Sequence, residues 1–132
     1  MWKETIICVV IVVVIIIGNI WTHNYTVKSV EELSKQLEEL KSELMKIVDK
    51  QEVSEEANKK VEKVQDNWNK RHDKLAYFIE HDELEKVEDN LTGIRSFMKT
   101  KEWAQAIGEL DKGAFILRHI EEKYAFNLEN IF

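Results

Sequence analysis

The sequence predicts an all-α protein in which one N-terminal transmembrane helix is followed by an antiparallel, up-and-down bundle of four helices. Three observations support this fold class. The 132 residues include no proline. An unbroken apolar run lies near the N-terminus, and beyond it apolar residues recur at alternating spacings of three and four among many Glu and Lys residues. Residues of high helix propensity therefore dominate the polar part of the chain.

The pattern divides the chain into five parts. Residues 1–4 form an N-terminal flank, residues 5–22 a transmembrane signal-anchor, and residues 23–28 a linker. Residues 29–125 form the helical bundle domain, and residues 126–132 form an apolar C-terminal tail. A stretch of about 100 residues is enough for one small domain but not for two.

The predicted transmembrane segment contains an uninterrupted apolar run from Ile6 to Ile17. Between Thr5 and Trp21 a helix spans about 26 Å at about 1.5 Å per residue, which is just long enough to cross a bilayer. A buried strand is the simplest alternative, but strands are usually shorter and no partner strand follows. Trp2 and Trp21 lie at the two ends, where indoles favour the membrane interface.

A cleaved secretory signal is the stronger alternative for this segment. Such signals end in small residues at the cleavage site, but the run ends at Gly18 without an A-x-A-like pair. We therefore expect an uncleaved signal-anchor in the cell membrane, crossing it once. The Lys and Arg residues of the two flanks nearly balance. The short N-terminal flank favours placing the domain after Lys28 outside the cytoplasm.

One face of the predicted transmembrane helix carries most of its weakly polar side chains. At about 100° per residue, Thr5, Cys8, Val12, Ile15 and Asn19 lie within an arc of about 80°. The simpler interpretation is that the two polar residues only mark the two membrane interfaces. The alternative is that this face contacts a partner helix, in a second copy of the chain or in a multi-pass membrane protein.

The net charge disfavours two kinds of partner, and the cysteine content excludes one source of stability. The net charge is -6, so nucleic acid is a poor partner and an anionic membrane surface repels the domain on average. Cys8 is the only cysteine, which excludes a framework of internal disulfides. The stability of the domain must therefore come from apolar packing.

Four helix starts are predicted in the bundle domain. Ser29 is the expected N-cap of the first helix, which ends near Lys50, and a second helix begins after Ser54. Asp82 is the expected N-cap of the third helix and Thr100 that of the fourth. A single long coiled coil is the alternative architecture, which these breaks disfavour.

Each predicted helix has an apolar face that can pack in a bundle core. The first two helices place there Val30, Leu33, Leu37, Leu40, Leu44 and Ile47, then Ala57, Val61, Val64, Trp68, His72, Leu75 and Ile79. The third places Leu84, Val87, Leu91, Ile94 and Met98. The fourth places Trp103, Ile107, Leu110, Ala114, Leu117 and Tyr124, widened by Ala106, Phe115, Ile116 and Ile120.

The sequence offers little for catalysis. No histidine follows a glutamate by three positions, as a carboxylate-bridged metal site in a bundle requires, so we predict no metal and no cofactor. The serines lie at caps or on polar faces, and no Gly-rich loop is present. His72 lies at a core position, where it is either a hydrogen-bonded structural imidazole or a pH-sensitive group. We predict that the protein is not an enzyme.

The C-terminal tail is unusually apolar. Its apolar residues, Phe126, Leu128, Ile131 and Phe132, either fold back on the bundle or form a recognition peptide. The N-terminal anchor, the helix with Trp68, the segment "EHDELEKV" and the terminal "NIF" resemble the family of domain of unknown function 4363. The resemblance implies a bacterial single-pass protein, similar to members often encoded near a multi-pass membrane protein family. It supplies no catalytic residues.

Two functions remain open from the sequence. The first is an extracytoplasmic accessory or interaction protein that acts on a membrane partner or by self-association. The second is an extracytoplasmic bundle that senses a small-molecule ligand of unknown identity, or pH. A sensor requires an output module across the membrane, but only four residues precede the anchor, which favours the first function.

Overall fold

The computed structural model describes residues 1–52 and 55–129, with side chains as far as Tyr124. These residues form four helices and no strand: α1 (Trp2–Lys50), α2 (Glu55–Leu75), α3 (His81–Lys99) and α4 (Trp103–Glu129). The second half of α1 packs with the other three helices as a bundle, and the first half extends beyond it. The predicted fold class is confirmed.

The first helix is continuous across the segment that the sequence analysis assigned to a linker. Residues 23–28 are helical, and Ser29 is buried within α1 instead of capping a new helix. The Ser29 hydroxyl donates to the carbonyl of Tyr25, four residues earlier, at 2.7 Å. No proline interrupts this region, so the backbone hydrogen bonds continue and the capping pattern is left unused. The predicted linker and N-cap are therefore wrong.

The bundle is antiparallel, with short connections. Leu37 of α1 lies beside Gly113 of α4, while Lys41 pairs with Asp111 at 2.5 Å, so the numbering of the two helices runs in opposite directions. α1 contacts both α2 and α4, α3 packs mainly on α4, and α2 and α3 make only a small contact with each other. The four helices enclose one continuous apolar core.

Most of the predicted core positions are buried. The buried apolar side chains are Val30, Leu33, Leu37, Leu40, Leu44, Ile47, Ala57, Val64, Trp68, Leu75, Ile79, Leu84, Val87, Leu91, Ile94, Met98, Ala106, Leu110, Ile116, Leu117 and Ile120. Phe115 is the clear exception, at 66% exposed. It follows Ala106 by nine residues, which is a rotation of about 180° on a helix, so it faces away from the buried side of α4.

Two further predicted caps differ from the structure. α3 begins at His81 with Glu80 at the N-cap position, so Asp82 already lies inside the first turn. Thr100 ends α3 instead of starting α4, and its hydroxyl donates to main-chain carbonyls of α3. The next residue, Lys101, adopts φ 59°, and the amide of Glu102 donates to the carbonyl of Phe97 at 2.8 Å. This is a Schellman-type ending in which Lys stands where Gly is usual.

Candidate functional site

The first half of α1 is the most unusual surface of the molecule. We call residues 5–22 the apolar segment. Among the described residues, α1 is the one helix whose length and composition allow it to cross a membrane. Its most apolar window has a mean hydropathy of 2.7, and none of that window is buried. Trp2 and Trp21, predicted at the two interfaces, are both exposed, at the start of α1 and near the bundle respectively.

The face of the apolar segment that carries weakly polar side chains is retained in the structure, because α1 is one uninterrupted helix. The Thr5 hydroxyl donates to the carbonyl of Met1 at 3.0 Å, so its hydrogen bond is made within the helix. The Cys8 thiol is free and exposed, and Val12 and Ile15 are exposed as well. Within the part of the chain that the structure describes, the side-chain amide of Asn19 makes no hydrogen bond.

Aromatic side chains gather where the apolar segment meets the bundle. The Trp21 and Tyr25 rings stack with their centroids 5.8 Å apart. Phe78, from the turn between α2 and α3, packs edge-on against both, at 6.4 Å from Trp21 and 6.0 Å from Tyr25. This turn is therefore at the level of the bundle end of the apolar segment.

The same turn carries an exposed tyrosine and contacts the last helix. Tyr77 is 88% exposed. The amide of Glu80 donates to the Tyr124 hydroxyl of α4 at 2.7 Å. We call Trp21, Tyr25, Tyr77, Phe78 and Tyr124 together the aromatic base, because they occupy the end of the bundle next to the apolar segment.

Two cations flank the aromatic base on the bundle side. The Arg71 guanidinium and the Lys74 ammonium lie 5.9 Å and 5.7 Å from the Tyr25 ring centroid, within cation–π distance. Arg71 also donates to the Ser29 hydroxyl at 2.9 Å and pairs with the Glu32 carboxylate. These contacts fix α2 against the middle of α1.

An ion-pair network lies beside the aromatic base. Lys123 donates to the Glu80 carboxylate at 2.8 Å, and this hydrogen bond, together with the charge of Lys123, lowers the pKa of Glu80. The same hydrogen bond raises the pKa of Lys123. Glu83 is only 4% exposed, and its nearest cations are Lys86 at 3.4 Å and Lys123 at 3.6 Å. His119 is 3.9 Å from the Glu83 carboxylate.

The histidines do not assemble a metal centre. No group of three or more His, Cys, Asp or Glu side chains in residues 1–52 and 55–129 is placed to hold a metal ion. His81 pairs with Glu85 at 3.0 Å on an exposed surface of α3. His119 contacts Glu83, as described above.

His72 lies at the edge of the bundle and not in its core. Its side chain is 39% exposed, and Nδ1 is 3.3 Å from the Asp73 carboxylate. The ring packs edge-on against Trp68, which occupies the core and donates its indole N–H to Glu88. His72 is therefore partly buried beside Trp68, at the edge of the core. A pH-sensitive role for His72 stays a prediction.

The centre of the bundle contains a small void of about 10 Å³. All four helices line it, and its polar neighbour is Asn90, whose amide donates to the Glu109 carbonyl at 2.7 Å. Gly113 admits this side chain, because a Cβ at that position collides with the Asn90 oxygen. A void of this size holds at most about one water molecule, which is far below the volume of a ligand pocket.

The aromatic base, the contacts of Arg71 and the pairing of Asn90 with Gly113 were not predicted from the sequence. A sequence signal for the aromatic base exists, since tyrosine occurs only three times and each lies next to a predicted helix end. The apolar tail stays a prediction. The backbone of Phe126 and Leu128 continues α4, their side chains are not described, and Ile131 and Phe132 lie outside the described residues.

Comparisons with known proteins identify a family without an assigned activity. No curated protein and no solved structure matches the chain. A family model described as "Domain of unknown function (DUF4363)" matches residues 20–131, which include the bundle and the aromatic base. Because this match covers most of the sequence, the chain belongs to the DUF4363 family.

Proposed function

We propose that this protein is a membrane-anchored helical bundle that acts, without catalysis, as an accessory or interaction protein on a membrane partner or by self-association. The observation that carries the proposal is the apolar segment, which is exposed and continues as the same helix into a packed bundle. Exposed apolar surface costs about 25 cal/mol per Å² in water, so a helix that is apolar on all sides requires another environment.

A bilayer provides that environment. The apolar segment is long enough to cross the hydrocarbon region, and its helical backbone leaves no unpaired main-chain groups there. Trp2 and Trp21 are exposed near its two ends, as residues of the aromatic belts of membrane proteins are. We infer that the segment is retained as a signal-anchor and that the bundle lies outside the cytoplasm.

An interaction role is supported by the weakly polar face of the apolar segment. A passive anchor requires no such face. In hydrocarbon, an amide such as that of Asn19 gains roughly 0.6 to 2 kcal/mol from a hydrogen bond to a partner helix. Cys8 and Thr5 lie on the same face and permit close approach of a second helix. The partner is a second copy of the chain or a multi-pass membrane protein.

Ligand sensing is the weaker candidate for this bundle. The central void is close to the size of one water molecule, and His72 is partly exposed at the bundle edge. An interaction role requires neither a cavity nor a buried titratable group.

Cysteine crosslinking in native membranes tests the proposed face. The natural Cys8 lies on the face, and a C8A/V10C double variant moves the thiol to the opposite side of the helix while keeping a similar depth. We expect efficient crosslinking to one partner through Cys8 and little through Val10→Cys. Asn19→Leu should weaken the Cys8 crosslink and leave insertion intact. Equal crosslinking through both positions would mean that the segment is only an anchor.

Protease treatment of intact cells tests the proposed orientation. External protease should digest the bundle and leave a membrane-bound stub that contains the apolar segment. Protection of the bundle in intact cells, with digestion after lysis, would place the bundle in the cytoplasm. A cytoplasmic protein of known location, probed in the same samples, controls for cell integrity.

A further inference from the structure

We propose that the aromatic base is a second lipid-contacting surface, which rests on the bilayer interface beside the anchoring helix. The inference depends on the proposed membrane anchor and extends it from a single helix to the end of the bundle. The ligand is the interfacial region of the bilayer that the apolar segment crosses.

The packing of Phe78 indicates where the aromatic base lies relative to the membrane. This ring contacts Trp21 and Tyr25 at the end of the apolar segment, so the turn between α2 and α3 lies at the depth where the helix leaves the hydrocarbon. Tyr77 is adjacent to Phe78 and is 88% exposed. An exposed aromatic side chain on a turn next to a membrane-crossing helix is at the level of the lipid headgroups.

Side-chain chemistry agrees with this position. Tyrosine and tryptophan are enriched at membrane interfaces, because the ring is apolar and the hydroxyl or N–H group remains hydrated. All three tyrosines of the chain belong to the aromatic base: Tyr25 on α1, Tyr77 on the turn and Tyr124 on α4. Three separate elements of the sequence therefore bring the same side-chain type to the end of the bundle that faces the membrane.

The surface fits the interface through its aromatic rings and not through positive charge. Of the cations beside it, Arg71 is paired with Glu32, Lys123 is paired with Glu80, and Lys74 lies over the Tyr25 ring. Asp82 on the same end adds negative charge, and the whole chain has a net charge of -6. We therefore expect the contact to form on neutral lipid and to depend little on anionic lipid or salt.

A second contact fixes the bundle relative to the membrane. The rotation and tilt of a single helix that crosses a bilayer are determined by its interfacial residues and by neighbouring helices. With the turn of Tyr77 and Phe78 also at the interface, the bundle is held at a second point beside the anchoring helix.

Depth measurements on the full chain test the proposal. In a Cys8→Ala background, single cysteines replace Tyr77, Phe115 or Val12, and each is labelled with a fluorophore after reconstitution into phosphatidylcholine vesicles. Phe115 is the matched control, because it is also an exposed aromatic residue, 66% exposed, but lies near the middle of α4. Neighbouring Gly113 lies beside Leu37, which is about 24 Å along α1 from Trp21. The label at position 12 shows whether the apolar segment lies in the hydrocarbon region.

We expect a quencher attached to lipid headgroups to reduce the fluorescence at position 77 several-fold more than at position 115, and a quencher deep in the acyl chains to act at position 12. Equal headgroup quenching at positions 77 and 115, together with quenching at position 12 by the acyl-chain quencher, would contradict the second contact but not the anchor. If the acyl-chain quencher has no effect at position 12, both the anchor and the second contact are contradicted.

Lipid composition separates the aromatic contact from an electrostatic one. Adding phosphatidylglycerol to the vesicles should change the quenching at position 77 little. Quenching at position 77 that appears only with anionic lipid would overturn the aromatic contact in favour of attraction through Lys74 and its neighbours. Circular dichroism of each variant, unchanged from that of the parent, confirms that the exposed substitutions leave the helices intact.

Discussion

The two halves of α1 belong to one helix but differ in nearly every other property. The first half is apolar on all sides, and its most apolar window is unburied, whereas the second half buries a face of leucine and isoleucine mainly against α2 and α4. The backbone is continuous through residues 23–28, because hydrogen bonding and helix propensity are local and nothing there opposes them. The environment of a helix can therefore change without any break in its structure.

The largest expected effect comes from placing a charge in the bundle core. Leu91 is 4% exposed at the centre of the α3 face, so Leu91→Asp buries an unpaired carboxylate and should cost several kcal/mol of unfolding free energy. Urea unfolding of the full chain in mild detergent, followed by circular dichroism, measures this loss. Val12→Ala in the apolar segment is the control and should leave the bundle transition unchanged. A Leu91→Asp bundle of parental stability would contradict the packing described for α3.

A proline between the two halves tests their continuity. The side chain of Asn24 is exposed, so Asn24→Pro disturbs mainly the helical backbone and should cost about 3 kcal/mol locally or introduce a kink. Asn24→Ala is the control. Distances between spin labels at Ile17 and Lys50 should broaden or shorten in the proline variant only. An unchanged distance distribution would mean that residues 23–28 behave as the linker that the sequence suggested.

Glycine substitutions compare the packing of the apolar segment with the packing of the bundle. A Cβ at Gly113 meets the Asn90 oxygen and lies 3.1 Å from a Leu37 methyl group, so Gly113→Ala should cost about 1–3 kcal/mol through overpacking. Gly18 in the apolar segment and Gly108 on the outer side of α4 have nothing within 4 Å of such an atom. Gly18→Ala should leave bundle stability unchanged, and Gly108→Ala should increase it slightly through helix propensity. Equal effects at positions 113 and 108 would contradict the close approach of α3 and α4.

The smallest expected effect concerns the exposed ion pair beside the aromatic base. Lys123 lowers the pKa of Glu80 below 4.5, so the pair contributes to stability above pH 4.5, and this contribution is lost as the pH falls through the lowered pKa. Because both groups are exposed, the effect on stability is small. Lys123→Gln should raise the pKa of Glu80 toward 4.5, as measured by NMR titration of its carboxyl carbon. An unchanged Glu80 titration would show that the pair does not persist in solution.

The buried faces were predictable from the sequence, because spacing along a helix fixes direction. Leu40 and Leu84 are buried as expected, and the ends near Lys50 and Glu55 agree with the prediction. Phe115 was assigned to the buried face because it adjoins buried residues in sequence, although its spacing of nine residues from Ala106 places it on the opposite side of α4.

Helix ends were harder to predict, because a capping pattern acts only where something else stops the preceding helix. Ser29 has the pattern without a break before it, and Lys101 ends α3 in a left-handed conformation without the glycine that usually marks it. The aromatic base depends on a contact between Trp21 and Phe78, which are far apart in sequence. Only the packing of α2 against α1 brings them together.

The mass of the chain recovered from membranes tests most directly whether the apolar segment is a retained anchor joined to the bundle. Membranes from expressing cells are washed with alkaline carbonate, which removes peripheral proteins, and the pellet and the wash are analysed by intact-mass spectrometry. We predict the full chain of 15.6 kDa in the pellet. A shortened chain that has lost the apolar segment, recovered in the wash, would contradict the proposal and identify the segment as a cleaved signal.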